Sequence, residues 1–200
     1  MEKAEIRARA LSARDAIPAQ TRREMDRRIR ERLYALPVWQ MSKTVLTYLS
    51  FGSEVDTWEI AGQAVSENKA LFCPRIMDRR AGHMAFYRTD PEHTMPGFRG
   101  IREPVGNEMW DAARASGGVL LLMPGVAFSV NGDRIGYGGG FYDRFLADRA
   151  DLMNRVALCY DVQVMREFSA GADTFPQTAT DVRVQRIITE NGVIICEGGT

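Results

Sequence analysis

The sequence predicts an α/β fold, helices packed on a mostly parallel sheet, and three observations predict it. Short β-branched or aromatic runs alternate along the chain with stretches of helical spacing. The run Val119–Met123 (VLLLM) is continuously apolar, as in a central strand buried on both faces. At 200 residues, 45% hydrophobic and 26% charged, the chain has the size and balance of one soluble domain over residues 1–200.

The elements follow in order. The first 36 residues read as two helices. Ile6, Ala10 and Leu11 share a face of the first, and Pro18 is placed to start the second. There Met25, Ile29, Leu33 and Leu36 recur at helical spacing while arginines fill the opposite side. Thr44–Leu49 (TVLTYL) reads as a strand. The polar loop FGSEVDT follows, then a helix capped by Asp56 or Thr57 with Ile60, Ala61 and Val65 turned inward. Ala70–Arg75 and Met84–Arg88 are further strands, and Pro91 to Pro104 is a connection punctuated by Pro and Gly. Beyond the 119–123 strand, Tyr142–Arg149 reads as helix. Arg155–Tyr160, Val182–Thr189 and Val193–Cys196 read as strands, with Gln163–Phe168 a short helix between them. There is no internal repeat, low-complexity stretch or linker.

Charge and cysteine usage exclude several classes. Lys plus Arg and Asp plus Glu each number 26, so no global basic charge favours nucleic acid or an acidic membrane. Residues 1–32 nevertheless carry ten basic side chains against six acidic ones, a solvated helix face or part of a polyanion site. Cys73, Cys159 and Cys196 stand apart in apolar runs and read as buried thiols of a reducing compartment. His83 and His93 have no zinc-like spacing. The amino terminus lacks an apolar signal region, and no stretch approaches the roughly 20 apolar residues of a membrane span. The expectation is a cytoplasmic chain that binds neither membrane nor nucleic acid, as a monomer or weak homo-oligomer.

The segment Met123–Leu146 (MPGVAFSVNGDRIGYGGGFYDRFL) carries the chemistry. It leaves the carboxyl end of the buried strand, where ligand sites of open α/β sheets lie. Asn131-Gly132 marks a tight hairpin, since both residues accept positive φ cheaply. Arg134 follows on the returning arm, and then Gly136-Tyr137-Gly138-Gly139-Gly140-Phe141-Tyr142-Asp143. Glycines let backbone N–H groups converge on phosphate oxygens, and a following helix start adds its positive end. No Lys-Ser/Thr follows as in a Walker A loop, and the spacing is not the dinucleotide fingerprint. A tight connection using glycine only for its freedom is the plain alternative. Arg134 and Asp143 flank the loop with both signs of charge, as phosphate–metal sites require.

These residues resemble the signature of the 5-formyltetrahydrofolate cyclo-ligase family, P-G-x-A-F-D-x-x-G-x-R-L-G-x-G-x-G-Y-Y-D-R. The resemblance extends to Lys3-x-x-x-Arg7, to Tyr48…Glu54-Val55-Asp56-Thr57, to Gly100-Ile101-Arg102-Glu103-Pro104, and to Pro176…Asp181…Ile188-Thr189. It implies a three-layer α/β/α sandwich, Rossmann-like and of the NagB/RpiA/CoA transferase-like kind. It also implies ATP as co-substrate, Mg2+, and a reduced folate as substrate. A formamide oxygen is a poor leaving group. The family's reaction therefore has it attack the γ-phosphate, after which N10 closes the ring and phosphate departs. Because closure is intramolecular, the protein mainly positions groups and neutralises charge.

The resemblance implies roles residue by residue. Lys3 and Arg7, on one helix face at i, i+4, would contact ATP; otherwise they are a solvated basic face. Arg134 would pair with phosphate and act in transfer, where the plain alternative is a hairpin salt bridge. Gly136, Gly138, Gly139 and Gly140 would cradle phosphates, with Phe141 beside them and Tyr137 touching nucleotide or pterin. Asp143 and Asp181 would hold the metal; otherwise they cap a helix terminus and occupy a turn. Glu54 would bind the pterin N–H groups. Phe51, Phe86 and Tyr142 are candidate walls for the flat pterin, with Tyr142 also counted with Arg134 in the chemistry. Three positions depart from the pattern: Ser129 in place of Asp, Gln177 in place of a frequent Glu, and Thr180 in place of His. They leave open a lapsed member that only binds folate or nucleotide. An ATP-dependent enzyme acting on another formyl or amide substrate is also left open.

Overall fold

The computed structural model describes residues 1–114, 118–169 and 175–196. Helices α1 (Lys3–Asp15), α2 (Ala19–Ala35) and α3 (Pro37–Met41) precede strand β1 (Thr44–Leu46) and helix α4 (Trp58–Ser66). Strands β2 (Ala70–Asp78), β3 (His83–Arg88), β4 (Thr94–Pro96), β5 (Arg102–Pro104) and β6 (Val119–Met123) come next. The hairpin β7 (Ala127–Phe128) and β8 (Arg134–Ile135) leads to helix α5 (Phe141–Leu146). Strands β9 (Asn154–Leu158), β10 (Arg186–Ile188) and β11 (Val193–Ile195) complete the order.

One seven-stranded sheet runs β11-β10-β9-β6-β1-β2-β3. From β10 to β2 every neighbouring pair is parallel; β3 and β11 close the two edges antiparallel. The chain steps outward from β1 to β2, then returns past β1 to β6 and continues to β9. The reversal lies between β1 and β6, and the crevice beyond their carboxyl ends is where such sheets take ligands.

Strand side chains alternate between two cores, as the pleat dictates. Val45, Leu120, Leu122, Val156, Leu158 and Ile188 face Ile29 and Leu33 of α2, Trp39 of α3, and Ile60, Ala61 and Ala64 of α4. Leu46, Leu121, Met123, Ala157 and Ile187 face Phe145 and Leu146 of α5 together with Phe128, Trp110 and Met153. The layers are α/β/α as expected, with α5 and connecting turns as the thinner outer layer. Helix α1 packs elsewhere: Ile6 and Ala10 bury against Val126, Ala127 and Ile135 of the β7–β8 region and against Phe168 and Phe175. All three cysteines are free and buried. Among the described residues no helix is long and apolar enough to cross a membrane.

Several boundaries differ from the sequence expectation, each for a local reason. Helix α4 buries Ile60, Ala61 and Ala64, while Val65 rotates off that face and is 46% exposed. Asp56 Oδ1 accepts from the Trp58 N–H at 2.9 Å, whereas Thr57 turns away to donate to Tyr48 O at 2.7 Å. The expected strand 182–189 is trimmed to β10. Its first N–H groups go elsewhere: Val182 to Asp143 Oδ1 at 3.2 Å and Val184 to Gly132 O at 3.0 Å. The 163–168 helix is instead two 3-10 turns, 161–163 and 166–169, and α5 ends at Leu146. The 91–104 connection contains the antiparallel pair β4–β5.

Candidate active site

Two loops meet beyond the carboxyl ends of β1 and β6. In the first, Ser50 and Thr57 clamp the base, each backbone N–H donating to the other's hydroxyl at 3.0 and 3.1 Å. At its tip the Phe51 N–H donates to Glu54 Oε2 at 3.1 Å while the Glu54 N–H returns to Phe51 O at 3.3 Å. The turn thereby fixes the Glu54 carboxylate. Burial pushes its carboxyl above the usual range, against the pull of the Phe51 N–H, the Tyr137 hydroxyl and Arg14.

The second loop begins with the β7–β8 hairpin. Ser129 N–H donates to Asp133 O at 3.0 Å and Gly132 N–H to Ser129 O at 3.1 Å, a three-residue turn with Gly132 at φ +90°. Asn131 stays out of the left-handed region, contrary to the sequence expectation, so Gly132 alone takes the positive φ. Ser129, one of the three departures from the signature quoted above, donates its buried hydroxyl to Asp133 Oδ2 at 2.7 Å. The turn thus keeps a carboxylate, supplied four residues later.

Strand β8 then aims Arg134 inward. Its guanidinium donates to Asp143 Oδ1 at 2.7 Å and to Pro124 O at 3.3 Å, while among the described residues Nε, also buried, has no partner. The Tyr142 ring lies 5.8 Å from the guanidinium. Burial pushes the Tyr142 hydroxyl above the usual phenol range, and it too is unpartnered. The glycine loop turns through Gly138 at φ +96° and Gly140 at φ +64°. Arg7 Nε donates to Gly136 O at 2.8 Å and Arg144 to Gly139 O at 2.7 Å, which ties down the carbonyls. Among the described residues the N–H groups of Gly138, Gly139 and Gly140 have no acceptor, a cradle suited to an anion.

Helix α1 supplies the third wall. Its apolar face anchors it, and the other face presents Lys3, Arg7 and the buried Arg14. Lys3 Nζ pairs with Asp181 Oδ2 at 2.6 Å, and the same oxygen accepts the Thr178 N–H at 2.8 Å. Asp143 Oδ1 similarly takes both Arg134 and the Val182 N–H. Among the described residues the second oxygen of Asp143 has no hydrogen-bond partner, while the Thr178 hydroxyl also reaches the Asp181 carboxylate. Among the described residues no group of three or more His, Cys, Asp or Glu gathers to hold a metal by itself.

These walls enclose a cavity of about 1050 Å³. Lys3, Arg7, Phe51, Glu54, Arg134, Gly136, Tyr137, Gly138, Gly139, Gly140, Phe141, Tyr142, Asp143 and Asp181 all line it. Phe86 does not: it is 1% exposed and lies in the core with its ring edge-on to Tyr142 at 6.2 Å. Sequence reasoning missed the far wall, formed by Pro74, Ile76 and Met84 of β2–β3, Arg79 and Arg80, and Phe98, Ile101, Arg102 and Glu103 near β4–β5. The Arg79 guanidinium sits 3.8 Å from the Phe98 ring centre. The Gly100–Pro104 motif was the available signal for this wall. Arg14 was also missed, because nothing in an arginine-rich helix marks the one arginine that is buried.

A model of the 5-formyltetrahydrofolate cyclo-ligase family matches residues 1–190. The chain is similar to the mitochondrial 5-formyltetrahydrofolate cyclo-ligase of Arabidopsis thaliana, 27% identical over 96% of this chain and 76% of the relative. It is 28% identical to the Escherichia coli K12 5-formyltetrahydrofolate cyclo-ligase, over 90% of this chain and 96% of that one. The solved structure of Aquifex aeolicus 5,10-methenyltetrahydrofolate synthetase superposes with a TM-score of 0.80 at 28% identity, covering 100% of this chain and 95% of that one.

Proposed function

The chain belongs to the 5-formyltetrahydrofolate cyclo-ligase family, and from that membership we infer that it converts 5-formyltetrahydrofolate to 5,10-methenyltetrahydrofolate with ATP as co-substrate. One observation of the molecule supports the reading above others. An anion cradle at Gly138–Gly140 and a fixed carboxylate at Glu54 open into one cavity, so a nucleotide and a pterin can meet there.

In this reading ATP phosphates sit against the glycine N–H groups, with Lys3 and Arg7 supplying positive charge from α1. Glu54 accepts the N–H donors of the pterin, and the rings of Phe51 and Tyr142 flank it. The formyl oxygen of N5 attacks the γ-phosphorus, the bond to ADP breaks, and an iminium phosphate forms on the folate. N10 of the same molecule then adds to that carbon and gives up its proton, and inorganic phosphate leaves with the former formyl oxygen and that proton. Arg134, desolvated and with an unused Nε donor, neutralises charge on the transferring phosphoryl group. The Tyr142 hydroxyl stays protonated and available as a donor to the same oxygens.

Mg2+ fits this donor set. Among the described residues Asp143 offers one oxygen without a protein partner, Asp181 brings a second carboxylate to the same cavity, and magnesium typically takes one or two carboxylates with phosphates and water. When bound, the ion would draw charge from the phosphates and hold their geometry.

The test mixes purified protein, magnesium-ATP and 5-formyltetrahydrofolate. The expected result is growth of the methenyl chromophore with ADP formed in step. Absence of both would overturn the reading.

A further inference from the structure

Arg14 does not line the cavity, and it is 4% exposed. A buried guanidinium needs hydrogen-bond acceptors, and Arg14 finds them on two segments of the site. Its Nε donates to Ser53 Oγ at 2.8 Å, one residue before Glu54. Its terminal nitrogen donates to the Tyr137 hydroxyl at 3.1 Å.

The direction of the next bond is then forced. A guanidinium only donates, so the Tyr137 oxygen accepts from Arg14 and its single proton goes onward. It goes to Glu54 Oε1 at 2.8 Å. The result is a polarised chain from cation through hydroxyl to carboxylate.

We propose that Arg14 is a positioning residue for the reduced folate, holding the Glu54 carboxylate in place through Tyr137 and Ser53. The inference rests on the folate reading of the cavity given above. Arg14 also supplies the counter-charge, one hydroxyl removed, for a carboxylate that burial would otherwise neutralise. The other groups facing Glu54 are Tyr137 from the glycine loop, Tyr48 after β1 and Tyr142 of α5. Tyr160 brings its hydroxyl to 3.5 Å from Glu54 O and donates it to Asp26 of α2. None of these is a cation. Of the basic residues on the cavity wall, Lys3, Arg7 and Arg134 are committed to Asp181, Gly136 and Asp143, Arg79 stands over the Phe98 ring, and Arg102 donates to Thr94.

The experiment compares Arg14→Met, Arg14→Lys and Tyr137→Phe by steady-state kinetics with each substrate varied, across acid to neutral pH. Arg14→Met should raise KM for 5-formyltetrahydrofolate about tenfold and leave KM for ATP unchanged. It should also move the acid limb of kcat/KM for the folate to higher pH. Arg14→Lys, which keeps the charge, should hold that limb near its wild-type position with a smaller rise in KM. Tyr137→Phe breaks the chain with Arg14 still present and should move the limb as Arg14→Met does. If Arg14→Met does not fold, Tyr137→Phe and Arg14→Lys decide. An unmoved acid limb, or an equal rise of both KM values, would overturn the proposal. A wild-type protein inactive on both substrates would overturn the folate reading itself, and this inference with it.

Discussion

The Tyr137 hydroxyl donates to Glu54 Oε1 at 2.8 Å, joining the glycine loop to the loop after β1. The segment that would hold phosphate and the residue that would hold pterin therefore share a hydrogen bond. The Phe51 and Tyr137 rings, 5.6 Å apart, add an apolar contact across the same junction.

Glu54→Gln preserves shape and removes the charge. Calorimetric titration should show folate affinity falling roughly 10- to 100-fold, the worth of a charge-assisted hydrogen bond, with ADP affinity unchanged. A parallel loss of ADP binding would assign Glu54 a structural role instead.

The raised Glu54 carboxyl has a pH signature in stability. The folded state holds this proton more tightly than the unfolded chain, so stability falls as pH rises from the ordinary carboxylate value through the raised one. Glu54→Gln lacks that slope. Thermal melts of both proteins should show the variant gaining on wild type as pH rises through this window. A difference that stays flat with pH contradicts the assignment.

Arg134 lies 2.7 Å from Asp143 and almost out of solvent. Lysine keeps the charge and loses the planar fork. Arg134→Lys should lower kcat about a hundredfold while circular dichroism stays native. A kcat within about threefold of wild type would remove Arg134 from the transfer step.

Asp181 is pushed up by burial, but the hydrogen bonds from Lys3 and Thr178 outweigh this and hold its carboxyl below the usual range. It is thus ionised at neutral pH and able to meet a cation. Chelation should stop turnover, and Asp181→Asn should raise the magnesium concentration for half-maximal activity by about tenfold. Asp143→Asn should do the same. An unaltered requirement in both variants would exclude these carboxylates from the metal.

Gly132→Ala tests the hairpin. An added Cβ would meet Val184 O at 2.2 Å and Cys196 Cβ at 2.9 Å, on a backbone at φ +90°. Left-handed strain and overlap together should lower unfolding free energy by about 3 kcal/mol, read from urea titration. Wild-type stability would mean that the loop can refold around the methyl group.

The parallel centre of the sheet was legible because buried strands are written as plain apolar runs, VLLLM above all. The glycine loop and its flanking Arg134 and Asp143 were legible as a local pattern with a physical use. Contacts made at long range were not. Arg14 resembles every other arginine of the first two helices, and its burial depends on Tyr137, 123 residues away. Val182 and Val184 carry strand-like composition, but their N–H groups go to Asp143 of α5 and Gly132 of the β7–β8 turn, which composition does not encode. The β4–β5 wall lacks periodicity because each strand is three residues long.

Lys3 and Asp181 stand 178 residues apart in sequence and 2.6 Å apart in space. During synthesis Lys3 is made before Asp181 and is without this partner until the segment carrying Asp181 follows. A growing polypeptide can assemble β1, β2 and β6 well before Asp181 exists. The cavity wall supplied by α1 then lacks its clasp to the segment carrying Asp181. The contact that ties α1 to the segment carrying Asp181 is therefore among the last tertiary contacts the growing polypeptide can make.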